Sequence, residues 1–510
     1  MRVFAGTNPR RLFLFFLWLT LAFRFWLAAA MPITGDEAYF IEWGRNPDWG
    51  FYDHPPMIGW WLAALLLVGD AAWWLRLPAV VQPAVLALVA GWAMARLWPE
   101  LDEDRHWWAS LLVLLAPVNV WNVFVTTDTP LIYFSVLSGL AWIKAAVDEA
   151  PRWYLAAGLL LAGAVLSKYF AALLGFAYLV DVLLRGTRRA WGGLAVVYAC
   201  TVPALLLMGW WNAGHCWSNY LFNFVNRHED AGLSWRTPLL YGATLAYVLS
   251  PPVLWLLVAR GGGVLTGGCR SLAVLSAVPL ALFGALSLVK TIGLHWLLSF
   301  VPFALLPLAR RLSPQGLRRL GLFFAGFAAL HIVAVVAVSR LPLETWRSLR
   351  QYDGIVLTFA TPALLDELKP YAQDYVFASD GYSNAVTLGY NSQTGAQRHF
   401  LVFGEASSHA RHDDILTDFR ALAGRNILVL RKSEPDAAHY RGYFREVEVK
   451  NFTLHGARFW IVLGRGFDYA AYRDMVLATV REKYYAIPAW LPQTGCYFCD
   501  RYFPGTPCGK

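Results

Sequence analysis

The chain has 510 residues, of which 57% are hydrophobic and 15% charged. Soluble domains carry about 25% charged residues, and a mean hydropathy of +0.43 widens that gap, so a wholly water-soluble protein is excluded. The formal charge of +9 is read as positive loop charge on the cytoplasmic side of a membrane, and nucleic acid is not expected as a partner.

In chain order, the apolar run Leu12–Met31 follows Arg2, Arg10 and Arg11. It is too long for a signal-peptide core and has no clear small-x-small cleavage site, so it is expected to stay as a first helix. Arg24 interrupts that run and is expected to face the bundle interior or to snorkel outward. A spanning helix needs about 20 apolar residues. Eleven spans are expected on this basis: 12–31, 76–97, 107–124, 130–147, 153–168, 169–184, 191–211, 238–259, 271–290, 295–309 and 320–339. With the N-terminus in the cytoplasm, one set of loops collects Arg2, Arg10, Arg11, Arg105, Arg152, Arg185, Arg188, Arg189, Arg260, Arg270, Arg310, Arg311, Arg318 and Arg319. That asymmetry sets the orientation. The other face receives Asp36, Glu37, Asp53, His54, Asp128, His215, Arg227 and His295, with Lys168 and Lys290 at span ends. Met57–Val68 is too short to span and is expected to lie along the interface or to be re-entrant.

The character changes after Arg340. Strand-like runs at Tyr375–Ala378 and Asn426–Leu430, with helix-like stretches at His412–Leu422 and Tyr469–Tyr485, predict a soluble α/β domain over 340–510. An odd number of spans places it outside the cytoplasm, after a membrane domain over 1–339. Cys496, Cys499 and Cys508 lie in this tail. A disulfide, a zinc knuckle short of a fourth ligand and free thiols all stay open. Cys200 and Cys269 are read as structural.

The chemistry gathers in the outer loops. Pro32-Ile33-Thr34-Gly35-Asp36-Glu37-Ala38-Tyr39 carries two adjacent carboxylates beyond the first span, and Tyr52-Asp53-His54-Pro55-Pro56 follows in the same loop. Adjacent carboxylates beside a membrane must be solvated, paired or functional. Thr127-Asp128-Thr129-Pro130 adds another carboxylate, which also suits the start of a helix. Ser167-Lys168-Tyr169 and Lys290 with His295-Trp296 put cations on the side where the charge rule disfavours them. Lysine binds phosphate as a point charge, and Arg227 can grip it with a planar fork. His215 and His228 suit hydrogen bonding, proton transfer or metal binding.

Taken in order, these motifs resemble the GT-C glycosyltransferases, and most nearly the lipid A aminoarabinose transferases and bacterial protein-mannosyltransferase-like proteins. The resemblance covers the whole membrane part. It implies a polytopic helical GT-C fold, a polyprenyl-phosphate (undecaprenyl-phosphate) sugar donor, transfer with inversion, and a lipid or glycan acceptor such as lipid A or lipopolysaccharide. It implies a place in a bacterial inner membrane with the site on the periplasmic face. Asp36 corresponds to the family's proton acceptor, with Glu37 and Asp128 completing the catalytic set. Tyr39, Tyr52, Asp53, His54, Lys168, Tyr169, His215, Arg227, Lys290 and His295 are the expected substrate-binding residues. In the aminoarabinose branch the position of Asp53-His54 is Glu-Lys, and its acidic residue can bind zinc. A divalent metal therefore stays open here, with Asp53, His54 and His215 as candidate ligands, and no other cofactor is implied. A protein O-glycosyltransferase of the same fold and a lipid-linked-sugar transporter are the alternatives. Transporters tend to place charges at mid-membrane and to carry inverted repeats, neither of which the sequence displays.

Overall fold

The computed structural model describes residues 8–228, 232–259, 269–392, 399–506 and 508–509; Arg2 and Arg260, counted above with the cytoplasmic charges, lie outside them. The chain divides into two compact units. The first comprises Met1–Met31, Val68–Leu207 and Asp230–Ser339, and the second Pro32–Leu67, Met208–Glu229 and Arg340–Lys510. Two segments from the first half of the sequence thus belong with the tail, where the sequence pattern divides the chain only once, at 339/340.

The first unit is helical. Asn8 caps the opening helix Pro9–Ala30, accepting from the Arg11 N–H at 3.1 Å, and Pro9 sits at its first turn, where no N–H is needed. Six of its described helices are long and apolar enough to cross a membrane: Pro9–Ala30, Ala72–Leu97, Asp128–Asp148, Arg188–Gly214, Arg270–Ser287 and Pro314–Val338. The fourth of these runs on past Leu207 into the second unit. The other five expected spans are shorter or broken. The run at 107–124 ends at Leu114 and restarts at Pro117, because proline cannot continue a helix hydrogen-bonded from the preceding turn. The runs at 153–168 and 169–184 form helices of 15 residues each, Pro151–Val165 and Ala171–Arg185. The run at 238–259 bends by 99° between Arg236–Val248 and Pro251–Ala259, at Ser250, whose φ is +73°. The run at 295–309 opens as a 3₁₀ turn, Leu294–Phe300, before Val301–Arg311. Large apolar side chains such as Trp18 (69% exposed), Leu206 (67%) and Val333 (64%) point outward, as a lipid-facing surface requires. The chain is a multi-pass membrane protein.

Cations hold the inside of this unit together. Arg24 is buried and donates to the carbonyls of Val80 (2.8 Å), Ala79 (2.6 Å), Asn122 (2.6 Å) and Asn119. It faces the bundle interior, as a guanidinium with five N–H donors must when no water reaches it. Arg76 closes the end of the first helix through the carbonyls of Ala28 (2.9 Å) and Met31 (2.7 Å). Arg105 does the same for Val301–Arg311, reaching the carbonyls of Ala309, Arg310 and Leu312. Cations suit these carbonyl-rich helix ends.

The second unit is built on a five-stranded sheet: β1 (Val376–Ser379), β2 (Leu401–Val402), β3 (Ile427–Arg431), β4 (Phe444–Leu454) and β5 (Ala457–Phe467), in the spatial order β2-β1-β3-β5-β4. β1 runs parallel to β2 and β3, and β5 is antiparallel to β3 and β4. The β4–β5 hairpin turns at His455-Gly456, with φ of +48° and +81°, the pair of positive values a two-residue hairpin loop needs. The central strand β3 is buried along its whole length, as a strand covered on both faces must be. The helix-like stretch at 412–422 is only two short turns, Asp413–Leu416 and Phe419–Leu422. Two disulfides close the unit: Cys216–Cys496 ties the 208–229 segment to the tail, and Cys499–Cys508 closes a short loop. The cluster of tail cysteines is therefore committed to disulfides, and Cys200 and Cys269 are free thiols.

Candidate functional site

In the second unit the helix Gly35–Arg45 presents the acidic pair. Thr34 and Glu37 close a reciprocal capping box: the Glu37 carboxylate accepts from the Thr34 N–H at 3.1 Å and from its hydroxyl at 3.0 Å. This arrangement satisfies two orphan donors of a helix start and turns Glu37 fully inward. Glu37 therefore fixes the helix start. Its neighbour Asp36 is exposed, and the Tyr382 hydroxyl donates to its carboxylate at 3.2 Å. Gly35 makes this contact reachable. A Cβ there would lie 1.8 Å from Ser383 Oγ and 2.9 Å from its Cβ, so only glycine lets the Asp36 helix sit against Tyr382–Asn391.

Tyr39, one turn on, is buried and works in both directions. Its hydroxyl donates to Asp53 at 2.8 Å and accepts from the His412 N–H at 2.8 Å. Burial raises the pKa of Tyr39 well above the usual phenol range and also pushes the Asp53 carboxyl up, while the nearby Arg411 guanidinium draws Asp53 back down. Asn223 holds the Asp53 carbonyl at 2.7 Å. His54 stands near the rings of Phe40 and Trp43. His215 is stacked on Trp211 at 4.1 Å, and its Nδ1 meets the Trp211 carbonyl at 2.7 Å. It also pairs in a short bridge with Cys496, next to the Cys216–Cys496 disulfide. His215 thus lies where the Cys216–Cys496 disulfide joins the 208–228 segment to the tail.

The expected metal set does not assemble. Among the described residues, the one group of three or more His, Cys, Asp or Glu ligand atoms close enough for a metal is Cys496, Cys499 and Cys508, and these are in disulfides. Asp53 instead uses its carboxylate on Tyr39 and faces Arg411. The residues Asp53, His54 and His215 do not fit a metal.

Arg411 was not legible as a site residue. It lies in Ala410-Arg411-His412-Asp413-Asp414, a dense titratable run in the tail that is a signal in hindsight. Its guanidinium lies 5.2 Å from the Phe222 ring and 4.9 Å from the Tyr382 ring. Beside it, His412 and Asp413 are buried; burial holds His412 down to about 3 and, with Asp414 adjacent, lifts Asp413 to about 8.

The first unit carries a separate constellation. Asp128 starts the helix Asp128–Asp148, and Lys168 reaches both its oxygens at 3.0 and 2.9 Å, both side chains being buried. Lys168 sits in the break between the helices Pro151–Val165 and Ala171–Arg185, with its ammonium 5.3 Å from the Phe170 ring and 5.9 Å from the Trp296 ring. His295 is half exposed, with Nε2 3.7 Å from Asp128. Tyr169 follows in the same break and is half-buried. Lys290 sits just past the helix Arg270–Ser287, its N–H on the Leu286 carbonyl at 3.0 Å. Lys168 is thus committed to Asp128, which leaves His295 as the group beside that carboxylate with an exposed ring.

Residues 53–211 match the family described as dolichyl-phosphate-mannose-protein mannosyltransferase. The chain is similar to ArnT from Cupriavidus metallidurans, solved with undecaprenyl phosphate and in the apo state. Both superpose with a TM-score of 0.58, at 16% and 17% identity, over 88% of this chain and 97% of ArnT. The chain has the ArnT fold. It is also 28% identical over 210 residues to the lipid A galacturonosyltransferase RgtD of Rhizobium johnstonii, a stretch covering 39% of this chain and 43% of RgtD. The match thus spans less than half of that relative. The expected resemblance to GT-C transferases is borne out at the level of the ArnT fold, and the mannosyltransferase match falls on the segment that holds Asp53, Asp128 and Lys168.

Proposed function

We infer that this protein is a membrane glycosyltransferase that moves a sugar from a polyprenyl phosphate to lipid A or a related envelope glycolipid, on the periplasmic face of a bacterial inner membrane. The observation that carries this reading is the ArnT fold across nearly the whole of ArnT, together with an exposed Asp36 steadied by Tyr382 on a capped helix. In the proposed reaction an acceptor hydroxyl oxygen attacks the anomeric carbon. The new glycosidic C–O bond forms as the bond from that carbon to the phosphate oxygen breaks. The hydroxyl proton passes to Asp36, and polyprenyl phosphate leaves with the electron pair. Attack from the face opposite the phosphate inverts the centre. A positioned carboxylate contributes about 10²–10⁴-fold as a general base. Arg227, in the same unit as Asp36, is the group proposed to meet phosphate charge, since preorganised donors stabilise charge that develops in the transition state. Asp128 and Lys168 hold their part of the scaffold in one arrangement.

The experiment is transfer of radiolabelled sugar from undecaprenyl phosphate to lipid A by the purified protein. Asp36→Asn is expected to lower turnover at least about 100-fold with folded yield unchanged. Turnover near wild type in that variant removes Asp36 as the base. The mannosyltransferase match over 53–211 favours one second reading, a protein acceptor, so a Ser/Thr-containing peptide is the competing acceptor in the same assay. The name of RgtD raises a uronic acid as a candidate for the transferred sugar.

A further inference from the structure

A cavity of about 190 Å³ lies within the second unit, walled by Tyr52, Phe222, Asn226, Arg227, Arg411 and Tyr484 together with Ser407, His409 and Ala410. It is smaller than the roughly 300–1,000 Å³ of pockets that take a whole drug-sized ligand, so it suits one head group. Its polar lining is mainly a set of donors. Among the described residues the Arg411 guanidinium makes one hydrogen bond, from Nη1 to the Ala410 carbonyl at 2.9 Å, out of five N–H donors. Among the described residues the fully buried Tyr52 hydroxyl has no hydrogen-bond partner, and neither has the buried Asn226 Nδ2. Buried donors left unmet keep their full desolvation cost, which fits a ligand that supplies acceptors. The His409 ring is already engaged, with Nδ1 on Asp414 at 2.8 Å and Nε2 on the Tyr472 hydroxyl at 2.7 Å.

Charge narrows the ligand further. Arg227 and Arg411 bring two positive charges to the lining; Asp53 acts electrostatically on both, and burial, with Asp36 adding to it, pushes the Asp53 carboxyl up toward its neutral form. The Arg411 plane is steadied by the Phe222 and Tyr382 rings, and a held guanidinium pairs best with a flat two-oxygen acceptor. Phe222 and Tyr484 add aromatic wall for a sugar face.

We propose that this cavity binds a carboxylate of the transferred sugar, so that the donor is a polyprenyl-phosphate-linked uronic acid. The proposal rests on the glycosyltransferase reading and adds the substrate class to it. Arg411 and Tyr52 are then specificity-determining residues. A donor phosphodiester oxyanion shares the same chemistry, and the test separates the two sources.

The purified full-length protein is assayed with two undecaprenyl-phosphate donors, one carrying a hexuronic acid and one carrying the same sugar reduced at C6 to the neutral hexose. Wild type is expected to favour the uronic acid about 100-fold in kcat/KM, the discrimination open to a site whose buried polar groups would otherwise go unpaired. Arg411→Gln is expected to erase most of that ratio, and Arg411→Lys, which keeps the charge but loses the fork, to reduce it about 10-fold. Tyr52→Phe removes only an oxygen and guards against a folding artefact; it too lowers the ratio. Equal use of both donors by wild type overturns the proposal while the glycosyltransferase reading stands. A parallel loss on both donors in Arg411→Gln and Tyr52→Phe, with the ratio intact, also overturns it and assigns the cavity to the donor phosphate. Turnover of neither donor, nor of any other lipid-linked sugar, removes the transferase reading and this proposal with it.

Discussion

Both units bury polar atoms with no hydrogen-bond partner among the described residues, His106, Trp153 and Ser250 among them in the first, but their principal buried cations are held differently. In the first, Arg24 is closed by four backbone carbonyls, and Lys168 and Asp128 neutralise each other. In the second, Arg411 keeps spare donors, and Tyr52, Asn226, His412 and Asp413 each bury a polar atom with no hydrogen-bond partner. Charge in an apolar surround costs several kcal/mol per ion unless paired, so the first unit uses it as internal bracing. Unmet polar groups are rare in folded proteins and call for a cause. The contrast teaches that a bracing cation such as Arg24 and a cation with donors to spare such as Arg411 can be told apart by hydrogen-bond accounting.

That contrast can be broken or sharpened. Removing one half of the first unit's ion pair, by Lys168→Met or Asp128→Asn, should have the largest effect, about 3–5 kcal/mol of lost stability. The combined Lys168→Met/Asp128→Leu variant should recover much of it. Detergent-solubilised melting curves measure this, and single variants as stable as wild type would show that the pair is not a brace. Replacing Cys216 and Cys496 together by serine should cost about 2–5 kcal/mol and free the 208–229 segment, read as new protease cleavage around Trp217–Phe224. Gly35→Ala forces the Asp36 helix away from Ser383 and should cost about 1–3 kcal/mol. Turnover should fall further than stability, because Asp36 shifts relative to Tyr382; unchanged turnover separates that contact from catalysis.

The last test is a pH slope. Burial lifts the Asp413 carboxyl to about 8 in the folded protein, against about 3.9 in an unfolded chain. A group raised on folding contributes stability that is complete below its unfolded value and fades as pH climbs through its folded one. Wild type should therefore lose stability between about pH 4 and 8 relative to Asp413→Asn. The two melting points should converge near pH 4 and separate towards pH 8, with the variant higher. Parallel curves would show that Asp413 does not titrate in this window.

The sequence shows some of this directly and hides the rest. β1 and β3 follow the apolar runs at 375–378 and 426–430. The β4–β5 hairpin was readable in principle, since Phe444–Leu454 alternates outward charge, but its many charged residues obscure the strand. The helices of the expected spans at 107–124 and 238–259 are interrupted at Pro117 and at Ser250-Pro251, a local signal outweighed by overall apolarity. Glu37 reads as catalytic beside Asp36, yet Thr34 three residues earlier is a capping-box signature.

By itself the sequence determined the membrane class, the helix-rich first unit and the acidic first loop, because hydropathy, charge asymmetry and short motifs are carried by neighbouring residues. Only the tertiary structure decided that Lys168 is spent on Asp128, that Cys216 joins Cys496, and that Arg411 faces Asp53. Those pairings join residues 40, 280 and 358 positions apart. Which side chain a charge or thiol meets across such a span depends on how the chain packs, and no local pattern records it.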